Sequence, residues 1–168
     1  MHDFESRKPK KILDIKSATL KAADYCAYQE RSQQEVRDKL YTYGLHEEEV
    51  EEVISDLIVD GFINEERFAK AYVGGKFRMK GWGKRKIMQG LKQHRISEYC
   101  IKKGLAEIDP DAYFETLLKH TRKKLPSIKG NSDYIIKGKL MQHLVGKGYE
   151  MDLIREAVSE VFENPDDL

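Results

Sequence analysis

A chain of 168 residues with 40% hydrophobic and 35% charged residues suits one compact domain or a few small helical modules, and excludes a disordered or membrane-embedded protein. The net charge of +1 hides strong segregation: +2 over residues 1–46, −9 over 47–66, +11 over 67–103 and −3 over 104–168. The two cysteines, Cys26 and Cys100, form no CxxC pair, and no apolar run reaches membrane-spanning length, so a cytoplasmic protein with reduced thiols and no membrane partner is expected.

In chain order, residues 1–16 read as an N-terminal extension, with 1–11 as a frayed end. Helical periodicity then runs almost throughout, and residues 17–163 read as all-α. The predicted units are 17–62, 63–109 and 110–163, followed by a tail over 164–168. Each opens with a helix, at roughly 17–30, 64–79 and 111–125.

The units are related by an internal repeat. Val36, Leu40, Gly44, Leu45, Val50, Ile54 and Leu57 recur 51 residues later as Ile87, Leu91, Arg95, Ile96, Ile101, Leu105 and Ile108. A further shift of 53 gives Leu140, Leu144, Gly148, Tyr149, Ile154, Val158 and Val161. The pattern predicts a helix with two apolar residues four apart, a left-handed cap, an apolar staple and a further amphipathic helix. Arg95 stands where the other copies have glycine. The fold class is therefore all-α, three tandem three-helix, helix-turn-helix-like repeats.

The first joint is written in "DGFINEERFAKAYV", residues 60–73. Gly61 suits the positive-φ position after a helix, Asn64 an N-cap, and Glu65 and Glu66 the positive end of the next helix dipole. Ile63 and Phe68 have hydrophobic-staple spacing around that cap. These four residues, Gly61, Ile63, Asn64 and Phe68, are expected to set how the second repeat leaves the first. Gly74-Gly75 is expected to interrupt the helix that follows.

Two basic segments stand out. "KFRMKGWGKRK" carries Lys76, Arg78, Lys80, Lys84, Arg85 and Lys86, interleaved with Phe77 and Trp82. "KHTRKKLPSIKG" carries Lys119, Arg122, Lys123 and Lys124, and Lys137 and Lys139 extend it. Such residues suit a phosphate backbone or an acidic protein face. The plain alternatives are solvated helix ends, pairing of the basic block with the acidic 47–66 segment, and Trp82 packed in the core. If the second and third repeats are neighbours, both segments line one basic surface.

Catalytic and metal chemistry find no support. "HEEEVEEV" is an acidic helix face without the second histidine of HExxH, and His94, His120 and His143 read as lone surface residues. The glycine-rich "GGKFRMKGWGK" fits neither GxxxxGK[ST] nor GxGxxG after a strand. No enzyme activity, cofactor or metal is expected.

"GFINEERFAKAYV" resembles the central motif of the RecX family of recombination regulators. "KGWGKRKIMQGLKQHRI" is similar to that family's Lys-Gly segment and Leu-xxx-Gly-Ile turn, and "YQERSQQEVRDKLYTYGL" to its Arg-Ser-xx-Glu-Leu-xxx-Leu opening. The resemblance covers about residues 17–163. It implies an elongated, curved array of repeats that binds the RecA recombinase filament on DNA, within which the strand is single-stranded. It further implies inhibition of recombinase ATPase, strand exchange and coprotease activities in DNA repair and the SOS response, by a cofactor-free monomer. On this reading Lys76, Arg78, Lys80, Lys84, Arg85 and Lys86 are the first filament-binding candidates, and Lys119, Arg122, Lys123 and Lys124 the second. The rival is an independent helix-turn-helix DNA-binding protein such as a repressor. The acidic "EEEVEEVISDLIVD" in the third helix of the first repeat, which phosphate repels, counts against it.

Overall fold

The computed structural model describes residues 12–165; the predicted frayed end at 1–11, and residues 166–168 of the tail predicted over 164–168, lie outside the described residues. Within them the chain forms α-helices joined by short turns and one 3-10 turn, with no strand. In order these are α1 (Ile15–Tyr28), α2 (Gln33–Thr42), α3 (Glu47–Val59), α4 (Glu65–Lys80), α5 (Lys84–Gln93), α6 (Glu98–Leu105), α7 (Pro110–Lys124), α8 (Asp133–Gly146) and α9 (Met151–Glu163). The three opening helices fall within two residues of the ranges read from periodicity. The helices form tandem three-helix repeats, grouped in two compact units that divide after Phe68.

Local chemistry explains most of the helix starts. Asp14 caps α1 by accepting from the Ser17 N–H at 2.7 Å. Ser32 and Glu35 form a reciprocal capping box on α2: the Ser32 hydroxyl accepts from the Glu35 N–H and the Glu35 carboxylate from the Ser32 N–H. Arg31 beside it donates from Nε to the Tyr25 carbonyl at 3.2 Å and stacks its guanidinium 3.8 Å from the Tyr25 ring. The "RSQQE" motif is thus the clasp between α1 and α2. Asp109 and Pro110 start α7, and Ser97 and Ser132 cap α6 and α8.

In the first unit the apolar stripes of α1, α2 and α3 bury Ala18, Ala22, Val36, Leu40, Val50 and Val53 completely. Each fully buried aliphatic side chain contributes roughly 1.5–3 kcal/mol. The joint after α3 follows the expected chemistry. Gly61 has φ +79°, and the N–H groups of Phe62 and Ile63 both donate to the Leu57 carbonyl, at 2.9 and 3.1 Å. Asn64 Oδ1 accepts from the Arg67 N–H at 2.8 Å, and Ile63 and Phe68 are both buried. Arg67 adds a clamp not anticipated from the pattern. Its guanidinium pairs with Glu30 at the end of α1 and donates to the Gly61 carbonyl at 2.9 Å.

In the second unit the repeat register holds at the turn. Arg95 adopts φ +58°, the left-handed conformation that Gly44 (+88°) and Gly148 (+97°) adopt in the other copies. The same bond to the carbonyl three residues back forms at all three: Gly44 to Tyr41, Arg95 to Lys92 and Gly148 to Val145. The turn geometry therefore survives an arginine at the glycine position. Helix α4 runs through Gly74-Gly75 without a break, contrary to the expected interruption. Two glycines cost only about 0.5–1 kcal/mol each against alanine, less than the burial of Ala69 and Val73 on the same helix supplies.

The second and third repeats dock backbone to backbone. The N–H groups of Gly83 and Arg85 donate to the carbonyls of Lys147 and Gly148, at 2.8 and 3.0 Å. A Cβ on Gly83 would lie 2.3 Å from the Gly148 carbonyl carbon, so only hydrogen fits there. Tyr149 is fully buried and its hydroxyl donates to the Gly81 carbonyl at 3.0 Å. Tyr113 accepts from the Lys84 N–H at 2.9 Å and donates to Glu150 at 2.7 Å.

Candidate anion-binding cleft

A concave feature of the second unit lies beside that docking. The end of α4 reaches Gly81 at φ +64°, which turns the chain sharply into the α4–α5 loop. Where the loop meets the α8–α9 turn, a cleft of ≈ 720 Å³ opens. Its α4 wall is Phe77, Arg78, Met79, Lys80 and Gly81; its α7 wall is Thr116, Lys119, His120, Lys123 and Lys124; His143 and Lys147 close it from α8 and the turn beyond. A second groove, of ≈ 700 Å³, shares Thr116, Lys119 and Lys123 and adds Glu115, Arg122 and Pro126.

The two basic segments thus meet, but not all their members do so alike. Arg78 and Lys80 line the cleft with Lys119, Lys123 and Lys124, while Arg122 faces the adjoining groove. Arg85 is exposed at the start of α5 with its backbone committed to Gly148. Lys84 has its backbone N–H on Tyr113 and its ammonium 4.9 Å from the same ring, a junction role first. Lys76 and Lys86 both reach the Trp82 ring. Their ammonium groups lie 4.8 and 4.6 Å from its indole. Trp82 is half-buried rather than packed in the core, because an indole in reach of two lysines is stabilised by cation–π contact at the surface.

The electrostatics of the cleft are one-sided. Among the described residues no carboxylate lies within ion-pair distance of Arg78, Lys80, Lys119, Lys123, Lys124 or Lys147. The acidic helix α3 directs Glu51 to Arg37 of its own repeat, at 2.6 Å. Burial, followed by Lys147, Lys123, His143 and Lys119, holds the His120 imidazole below its ordinary pKa. Burial, then Lys124 and Lys147, does the same to His143. Lys147 is lowered by burial, then by Lys86 and Lys123. Burial leads each of these shifts, and the neighbouring cations add to it in the same direction.

His120, His143 and Lys147 are the cleft residues that the sequence pattern did not single out. His120 packs on Gly81, where an added Cβ would fall 2.2 Å from its Nε2. No set of three or more His, Cys, Asp or Glu side chains suited to a metal is found among the described residues. No described helix is long and apolar enough to cross a membrane.

Fold and cleft together define a tandem helical-repeat protein with a basic groove at the contact of two repeats. Family models described as the first, second and third three-helix domains of RecX match residues 18–57, 64–105 and 111–158. The regulatory protein RecX of Prosthecochloris aestuarii is 30% identical over 151 residues, covering 90% of this chain and 97% of its own. That of Bacillus licheniformis is 32% identical over 154 residues, 91% of this chain, which spans only 59% of the Bacillus protein. Among solved structures, RecX from Lactobacillus salivarius superposes with TM-score 0.79 at 26% identity, over 88% of this chain and 96% of that one. The chain belongs to the RecX family of regulatory proteins.

Proposed function

We propose that the protein regulates a RecA recombinase by binding its filament on DNA, chiefly restraining ATP hydrolysis, strand exchange and coprotease activity. It acts by occupancy and charge and not by catalysis. Membership in a family of regulatory proteins supports the class of role. The observation that carries the site is the carboxylate-free cleft in which Arg78 and Lys80 of the second repeat face Lys119, Lys123 and Lys124 of the third. Lysine and arginine in a groove suit phosphate contacts and steer association with a polyanion. Tandem repeats suit a partner that is itself repetitive, since successive three-helix units can engage neighbouring filament subunits.

The test is co-sedimentation with RecA on single-stranded DNA, with and without nucleotide, beside DNA alone across a salt series. The expected result is retention on the nucleotide-bound filament beyond that on bare DNA. Equal retention on bare DNA, with no dependence on RecA, contradicts the reading and favours the independent DNA-binding rival. That rival is the weaker, because α3 opens on Glu47, Glu48 and Glu49 and α9 is likewise rich in carboxylates.

A further inference from the structure

The cleft and its neighbouring groove form one track across α7. Lys119 and Lys123 line both, one turn apart, about 6 Å along the helix axis. That spacing suits successive phosphates of an extended strand better than a flat protein face, which would have to project side chains into a concavity. Two imidazoles stand among these cations, and among the described residues neither makes a side-chain hydrogen bond. His120 lies edge-near Tyr149, with ring centroids 6.2 Å apart, and against Gly81; His143 enters from α8.

We propose that this track holds consecutive phosphates of a single-stranded nucleic acid, and that His120 and His143 take up protons from solvent to complete the grip as the strand enters. This deepens the filament reading and rests on it for its biological setting.

The charged groups that face His120 are Lys119 and Lys123 on α7, His143 on α8 and Lys147 beyond it. Arg78 and Lys80 of α4 line the same cleft. Those that face His143 are Lys124 and Lys147. These groups are cationic or become so; Glu115 lines the adjoining groove, but among the described residues no carboxylate lies within ion-pair distance of Arg78, Lys80, Lys119, Lys123, Lys124 or Lys147. Burial first, and the neighbouring cations second, hold both imidazoles below their ordinary value, so by itself the cleft opposes a further positive charge. A phosphate reverses the sign of the local potential and favours the imidazolium, which then donates a charge-assisted N–H···O bond. Binding is therefore linked to proton uptake and tightens as pH falls through the histidine range.

The test needs only the full chain and DNA, with no recombinase, so its failure leaves inhibition of RecA to be judged by its own assay. Fluorescence anisotropy with a labelled oligothymidylate, at constant ionic strength, compares about pH 6 with about pH 8. The expected result is affinity on the order of tenfold higher at the lower pH. In the double variant His120→Gln/His143→Gln the ratio of affinities between the two pH values falls to near one, so most of the gain is lost. In parallel, the imidazole C–H resonances of both histidines titrate at higher pH with the oligonucleotide than without it, a readout that needs no variant. An unchanged pH effect in the double variant, or resonances that do not move, overturns the proton linkage. Displacement by polyglutamate as effective as by unlabelled oligothymidylate of equal charge overturns the assignment to phosphate. Displacement by tripolyphosphate at equal phosphate concentration assigns the cleft to free phosphates and overturns the strand.

Discussion

The Tyr149 hydroxyl donates to the Gly81 carbonyl at 3.0 Å across 68 residues of sequence, from a side chain that is fully buried. This bond fixes the sharp turn at the end of α4 against the α8–α9 turn, and the basic cleft opens beside it. Removing the hydroxyl in Tyr149→Phe leaves a buried carbonyl without its partner, at a cost of about 1–3 kcal/mol. Tyr113→Phe removes two bonds, to Lys84 and Glu150, and should cost at least as much. Thermal melts of both variants check this. A wild-type melting temperature in either would mean that the junction does not depend on these hydroxyls.

The repeat turn offers a prediction of opposite signs. Arg95 holds φ +58° where its counterparts are glycines, a conformation costing an L-residue about 1–2 kcal/mol. Arg95→Gly removes that cost but adds about 0.5–1 kcal/mol of unfolded-state entropy, so a net stabilisation of up to about 1 kcal/mol is expected. Gly148→Ala meets φ +97° and places its Cβ 2.6 Å from the Lys86 backbone nitrogen, so it should lose at least about 2 kcal/mol. Chemical denaturation of the pair tests both. Destabilisation by Arg95→Gly would show that the arginine side chain contributes something its exposed position does not reveal.

The histidines set the pH dependence of stability. Both are depressed in the folded state, mainly by burial and then by neighbouring lysines. The unfolded chain therefore binds protons first as pH falls. Their contribution is fully present above the unfolded value near 6.5 and is lost progressively below it. The melting temperature should drop between about pH 7.5 and 5.5, and the drop should be shallower in His120→Gln/His143→Gln. An identical slope in the variant would place the titrating groups elsewhere.

Much of the fold was legible in the sequence, because local chemistry carried it. The stop-and-start signal at Gly61, Ile63, Asn64 and Phe68 appears as written, and the six apolar positions of the repeat are buried or half-buried in all three copies. The site was only half legible. The lysines and arginines were visible as charge runs, but their meeting depends on Gly83 and Gly148 packing backbone to backbone, which no periodicity encodes. The "GWGK" and "GKGY" glycines were the available signal. His120, His143 and Lys147 were missed because each looks ordinary alone, and only the fold brings them to one cleft. The alternative of Trp82 packed in the core does not hold: the ring is half-buried, with the ammonium groups of Lys76 and Lys86 over it. Lys84 proved to be a junction residue as much as a surface charge, so its reversal would confound folding with binding.

The central claim is that the cleft between the second and third repeats engages the recombinase filament. The direct measurement is inhibition of RecA's DNA-dependent ATPase by the wild-type chain and by Arg78→Glu/Lys119→Glu/Lys123→Glu, exposed positions that share the cleft and carry no junction bond. The triple variant should keep its helicity and melting behaviour and inhibit at least about tenfold more weakly, as loss of several phosphate or acidic contacts requires. Undiminished inhibition by that folded variant would contradict the central claim.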